Sequence, residues 1–232
     1  MFTQVQRREI YIIMEYLHRK DKKKTSARED FEKRLLPKVR EYLRKDFGKK
    51  KWVFNEALVG STKRNLVLVG NEGFDMDYQL RFDRIPDKYL KDAKAMKELF
   101  RNYLNKAKKE LGIALTDCED STHVLTMKKI VNTKVDYSYD IAILRLNECG
   151  QYVILKNEKQ GRQDDYHYVP LPDCGDFNER YKKVKTQEAW ALLRDKYKVK
   201  KGKYQYTNQD DRPASFSLLG QAVNEVIQKL EL

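Results

Sequence analysis

The sequence predicts an α+β protein in which a small mixed sheet is framed by helices at its N- and C-terminal ends. Three observations carry that expectation. Residues 75–83 alternate without a break, with Met76, Tyr78, Leu80 and Phe82 on one face and Asp75, Asp77, Gln79, Arg81 and Asp83 on the other, the period of a half-buried strand. A second strand repeats the pattern, with Val135, Tyr137, Tyr139, Ile141 and Ile143 opposed by Asp136, Ser138 and Asp140. Toward both ends the apolar period changes from two to 3.6 residues, which is the spacing of helices.

Ile10, Ile13, Met14 and Leu17 suggest a first helix, interrupted by the basic run from His18 to Lys24. Ser26-Ala27-Arg28-Glu29 then reads as a capping box opening a second helix, with Phe31, Leu35, Val39 and Leu43 on one face and Pro37 as a possible kink. Trp52 to Val59 is rich in strand formers and runs into a tight turn at Gly60. Helical spacing returns from 89 to 111 through Met96, Leu99, Phe100, Tyr103, Ala107 and Leu111, with Gly112 as the cap. Strands follow at 123–131, 135–146 and 151–155. Pro170-Leu171-Pro172 marks a boundary. Trp190, Leu193 and Tyr197 then indicate one helix, and Phe216, Leu219, Val223, Val226 and Leu230, entered through Pro213, another. The expected organisation is a core of 1–165, with the N-terminal helices, and a helical region of 166–232 packed on it. Tyr78 and Trp190 read as packing residues.

Composition narrows the class. Of 232 residues, 36% are charged, but 41% are hydrophobic and 11% aromatic, which excludes a disordered polyelectrolyte. Lys and Arg number 48 against 35 Asp and Glu, a net charge of +13. Much of it lies on runs such as 19–24 and 196–203 that read as solvated faces, with attraction to the phosphates of a nucleotide or nucleic acid as the sharper reading. Mean hydropathy is −0.82, no apolar run approaches the ~20 residues that span a bilayer, and the first residues do not form a signal peptide. These features predict a cytoplasmic protein with no membrane contact. Cys118, Cys149 and Cys174 and the histidines His18, His123 and His167 are scattered, so neither a disulfide framework nor a zinc site is indicated.

The chemistry concentrates on the polar faces of the two strands. Asp75 and Asp77 are two apart and project from one face, and Asp140 projects from the polar face of the second strand. Clustered carboxylates repel unless cations neutralise them, and hard oxygen donors suit Mg²⁺ or Mn²⁺. Val59-Gly60-Ser61 ends the strand upstream, where a Gly-Ser turn can expose backbone N–H groups to a phosphate. Lys63 and Arg64 stand beside it, either as phosphate contacts or as ordinary solvated cations.

Val59-Gly60-Ser61, thirteen residues, then Asp75-Met76-Asp77-Tyr78 resembles the hydrophobic-Gly-Ser and Asp-x-Asp signature of nucleotidyltransferases of the DNA polymerase beta superfamily. The Gly-Ser-Thr-Lys turn and helical ends are most similar to the oligoadenylate synthetase-like branch, which includes bacterial makers of cyclic oligonucleotides. The resemblance covers roughly 58–146 and implies a nucleotidyltransferase core. It further implies that Asp75, Asp77 and Asp140 bind two Mg²⁺ or Mn²⁺ ions. A hydroxyl acceptor, not named by the sequence, would attack the α-phosphorus of ATP or GTP, with pyrophosphate leaving. Gly60 and Ser61 would hold the γ-phosphate end, and Lys182, Lys183 or Lys185 would reach the triphosphate. Asp136 competes with Asp140 for the third carboxylate. Four residues apart at ~3.3 Å each, the two are separated by roughly 13 Å, and the buried pattern of Ile141-Ala142-Ile143 favours Asp140. The other reading is a catalytically weak nucleotidyltransferase fold that binds nucleic acid or a protein partner in a defence or toxin–antitoxin setting.

Overall fold

The computed structural model describes residues 15–16, 21–69, 73–160, 163–204 and 214–232. Among these, the chain forms two compact units, the larger holding 21–67 and 73–171 and the smaller holding 172 onward with residues 15–16 and 68–69.

In the larger unit a helix begins as α1 (Lys22–Glu29), widens into a π-helical stretch over Asp30–Leu35, and continues as α2 (Leu36–Phe47). The cap is Asp21, whose side chain accepts from the N–H of Lys24. The expected capping box at Ser26 is therefore corrected: the helix starts a turn earlier, because a carboxylate four residues upstream of Thr25 already satisfies the first donors. Pro37 stands just after the π stretch. Its missing N–H leaves the carbonyl of Lys33 without an i+4 donor, and the ladder changes there without ending the helix.

The sheet has seven strands. Its main path runs β2 (Val53–Leu58), β4 (Phe74–Arg84), β7 (Lys134–Leu146), β6 (Leu125–Val131) and β5 (Glu119–Asp120). β4 and β7 are parallel and the other pairs antiparallel. Asn132 and Thr133 both adopt left-handed φ angles, giving the two-residue turn that matches strand twist between β6 and β7. β7 also pairs at its far end with β8 (Tyr152–Gln160), which hairpins into β9 (Gln163–Pro170).

β9 is a strand that sequence patterning did not reveal. Its residues are exposed or half-buried, so Gln163 to His167 carries no clean apolar alternation. Tyr166 and Tyr168 nevertheless pack on the core. The helix expected over 89–111 is two, α4 (Asp87–Lys91) and α5 (Ala93–Glu110), split where the Asp92 side chain caps the N–H of Ala95. At its end Gly112 takes φ +62, as the expected cap requires.

Behind the sheet, Phe31 is fully buried, with its ring stacked 4.0 Å from Tyr78 of β4 and 5.1 Å from Tyr139 of β7. Tyr139 donates to the carbonyl of Ala27 at 2.6 Å. Trp52, Phe54, Phe82 and Phe100 extend the aromatic core. In the smaller unit β1 (Glu15–Tyr16) pairs antiparallel with β3 (Leu68–Val69), alongside α6 (Phe177–Lys183), α7 (Gln187–Lys203) and α8 (Ser215–Leu230). The helix expected around 10–17 falls mostly outside the described residues, and Glu15–Tyr16 within it is strand. Pro213 also lies outside them. The ring of Trp190 meets Tyr181 edge-on at 6.2 Å.

Because Phe31 contacts both central strands through a ring with no room around it, Phe31→Ala is expected to destabilise the chain by about 3–5 kcal/mol. A urea-denaturation midpoint followed by tyrosine and tryptophan fluorescence measures this.

Candidate functional site

Pairing of β4 with β7 builds the site. Its register sets Asp75 beside Ser138, Met76 beside Tyr139 and Asp77 beside Asp140. Met76, Tyr78, Tyr139 and Ile141 face the core, so strand alternation directs the three carboxylates to the opposite face. Asp136 lies outside this set. It precedes the first β7 partner of β4, Tyr137 opposite Phe74, and forms an ion pair with Lys23 at 2.5 Å.

Each acid has its own surroundings. Asp75 is exposed and its carboxylate accepts from the Ser138 hydroxyl. Asp140 accepts from the Thr126 hydroxyl at 2.7 Å, Thr126 being its register partner on β6. Burial first, and then the negative charges of Asp140 and Asp75, push Asp77 up to about 6, against an opposing pull from Arg64. Asp140 is raised too, mainly by burial, while the Thr126 hydroxyl pulls it down. Among the described residues no group of three or more acidic, histidine or cysteine side chains is drawn together closely enough to hold a metal ion.

The Gly60–Ser61 segment is the first turn of a short helix, α3 (Gly60–Arg64), rather than an isolated tight turn. It is tied to β4 at two points: the N–H of Val59 donates to the carbonyl of Asp77 at 2.8 Å, and the Thr62 hydroxyl donates to that of Asp75 at 2.6 Å. Gly60 adopts φ +65, and a Cβ there would sit 1.8 Å from an Asp77 carboxylate oxygen. Only glycine fits. Lys63 is exposed, and Arg64 reaches back to the Gly60 carbonyl at 3.2 Å. Lys182 and Lys185 belong to the smaller unit, where Lys182 pairs with Glu179 at 2.7 Å and the Lys185 ammonium lies 5.2 Å from the Tyr181 ring. Lys183 is exposed.

Thr62, Thr126 and Ser138 are the polar contacts that sequence reasoning missed. Ser138 was visible as a polar residue on the Asp140 face of its strand. Thr126 could be found only by knowing the β6 register.

Solved structures share this arrangement of elements. The Vibrio cholerae DncV cyclic AMP-GMP synthase, a prokaryotic cGAS homologue, matches with a TM-score of 0.53 at 13% identity, over 80% of this chain and 49% of that one. The fold is that of a nucleotidyltransferase. Escherichia coli DncV bound to 3′-deoxy GTP matches with a TM-score of 0.51 at 13% identity, covering 97% of this chain and 68% of that one. Escherichia coli MS115-1 CdnC, from its complex with HORMA-deltaN, matches at 0.50 with 15% identity over 90% and 64%. The chain thus spans about half the length of the first of these relatives. No family model and no curated protein matches the sequence. No described helix is long and apolar enough to cross a membrane.

Two expectations follow from the carboxylate geometry. A folded-state value near 6 for Asp77, above its ordinary 3.8, means that the native chain holds this proton more tightly than the unfolded chain, so stability from this group falls as pH rises from about 4 to 6. Asp77→Asn should therefore melt above the wild type at pH 8, with the gap closing toward pH 4, as read by paired thermal melts. Gly60→Ala should displace the Asp77 carboxylate and lower stability by roughly 1–3 kcal/mol, measured by chemical denaturation.

Proposed function

We propose that this chain is a metal-dependent nucleotidyltransferase that moves a nucleoside monophosphate from ATP or GTP to a hydroxyl acceptor. One observation carries the reading: Asp77 and Asp140 are register partners on adjacent parallel strands, with Asp75 two residues along and the Gly60 turn packed against Asp77. The nucleotidyltransferase fold supports it.

The three carboxylates do not by themselves form a ready metal cluster, but their oxygen donors are of the kind that a hard divalent cation takes. Three carboxylates offer oxygen ligands, and the proton affinity of Asp77 is raised in part by its neighbours' charge, an electrostatic demand that Mg²⁺ or Mn²⁺ would answer. Asp75 and Asp77 would hold the ions, with Asp140 sharing one of the two. Bound there, the metal would offset negative charge on the entering and leaving oxygens of an in-line displacement.

The rest falls to the chain's own groups. Gly60 leaves the backbone open to the terminal phosphates, the Ser61 hydroxyl adds a donor, and Lys63 and Arg64 add positive charge. As the acceptor oxygen bonds to the α-phosphorus, the bond to the β-phosphate bridging oxygen breaks and pyrophosphate leaves. Asp140 would share the ion beside the acceptor hydroxyl and so help that hydroxyl lose its proton.

The test is incubation of the purified chain with each α-labelled nucleoside triphosphate and Mg²⁺ or Mn²⁺, with products separated by chromatography. Labelled product and pyrophosphate from ATP or GTP are expected. Asp140→Ala should lower turnover ~100-fold or more with triphosphate affinity changed only a few-fold, while Asp136→Ala should retain near-normal turnover. No product from any triphosphate would favour a binding module over an enzyme.

A further inference from the structure

We infer that Ser138 and Thr126 are positioning residues that fix the Asp75 and Asp140 carboxylates in the orientation in which they receive a divalent cation. The inference rests on the nucleotidyltransferase reading of this face and adds two residues to it.

Both contacts follow from strand register. Ser138 is the β7 partner of Asp75, and Thr126 is the β6 partner of Asp140, so each hydroxyl lies directly across one strand spacing from the acid it serves. Side chains of such partners are within reach of one another. The hydroxyl donates to Oδ1 in both cases. A carboxylate held through one oxygen keeps lone pairs on the other for a second partner.

Packing gives no separate reason for these hydroxyls. Leu125 and Met127, which flank Thr126, are fully buried on the core side, and valine would fill the volume of Thr126 equally well. Ser138 is 4% exposed between the buried rings of Tyr137 and Tyr139. There a methyl group would cost nothing in shape, whereas a hydroxyl must find an acceptor. The acceptor it uses is the most exposed carboxylate of the three, which by itself is free to rotate about two torsions.

The charge of the donors also matters. An ammonium, as in the Lys23–Asp136 pair, both orients and neutralises a carboxylate. A hydroxyl orients it and leaves the negative charge available to a cation. Groups that orient metal ligands in this way typically contribute about 10–100-fold to metal affinity.

The experiment measures Mn²⁺ binding to the full chain, without nucleotide, by electron paramagnetic resonance. The wild type is compared with Ser138→Ala, Thr126→Val and Thr126→Ser, and each variant is also crystallised. The Mn²⁺ dissociation constant should rise about tenfold or more in Ser138→Ala and Thr126→Val. It should recover in Thr126→Ser, which restores the donor. Melting temperatures should stay within a few degrees of wild type, and the crystal structures should show Asp75 or Asp140 turned from its wild-type rotamer. Unchanged affinity with unchanged rotamers, or a loss that Thr126→Ser fails to recover, would overturn the proposal. Should the wild type itself bind no Mn²⁺, the proposal that these carboxylates are set to receive a cation is overturned, whereas the nucleotidyltransferase reading stands or falls on product formation from the labelled triphosphates.

Discussion

The pairing of β4 with β7 is the constraint on which the rest of the molecule depends. One register fixes two faces at once, because strand side chains alternate. On one face it brings Met76, Tyr78 and Leu80 alongside Tyr139, Ile141 and Ile143 in the core. On the other it brings Asp77 beside Asp140, where burial raises the proton affinity of both acids, with the charges of Asp140 and Asp75 adding at Asp77 and that of Asp75 at Asp140. A slip of one residue would send the acids into the core and the aromatic rings into water. The apolar face thus enforces an acidic face that would not form on its own.

The long N-terminal helix locks that register from behind. Phe31 stacks on Tyr78 and tilts against Tyr139, so a single ring spans both parallel strands. Two hydroxyls repeat the bracing, with Tyr139 donating to the Ala27 carbonyl and Tyr78 to Glu32. These contacts come from α1 and from the π-helical stretch. The wider turn there moves the helix ladder next to the residues that reach the strands. In front, α3 is bonded to the backbone at Asp75 and Asp77. The carboxylates are therefore held between a helix that sets the strands and a turn that sets their mouth.

What was legible in the sequence was what depends on near neighbours. Strict alternation revealed β4 and the polar face of β7, and so Asp75, Asp77 and Asp140. The Gly60 turn followed from the composition at a strand end. Features set by distant partners were harder to see. Whether Asp136 or Asp140 stands beside Asp77 is a question of register between strands more than fifty residues apart, and burial patterning gave only an indirect argument. Thr126 gave no signal, because its role exists only once β6 is aligned on β7. The local misreadings share a cause: Asp21 and Asp92 are charged residues whose capping work depends on where a chain bends, so Ser26 looked the better cap and residues 89–111 looked continuous. β9 stayed hidden because a half-exposed hairpin arm needs no clean apolar period.

The contrast between Asp136 and the other three acids explains why so basic a chain keeps an acidic face. Asp136, which lies where the β6–β7 register shifts, ends in an ion pair with Lys23, the usual fate of a carboxylate in a chain with a net charge of +13. Asp75 and Asp140 instead meet neutral hydroxyls. Two cations also act on the cluster, Arg64, which donates to the Gly60 carbonyl, on Asp77, and Lys128, which pairs with Glu119, on Asp140. Their attraction tempers the repulsion. Were a lysine in the position of Thr126, Asp140 would be paired and neutralised as Asp136 is. The hydroxyls keep the face ordered while it remains charged.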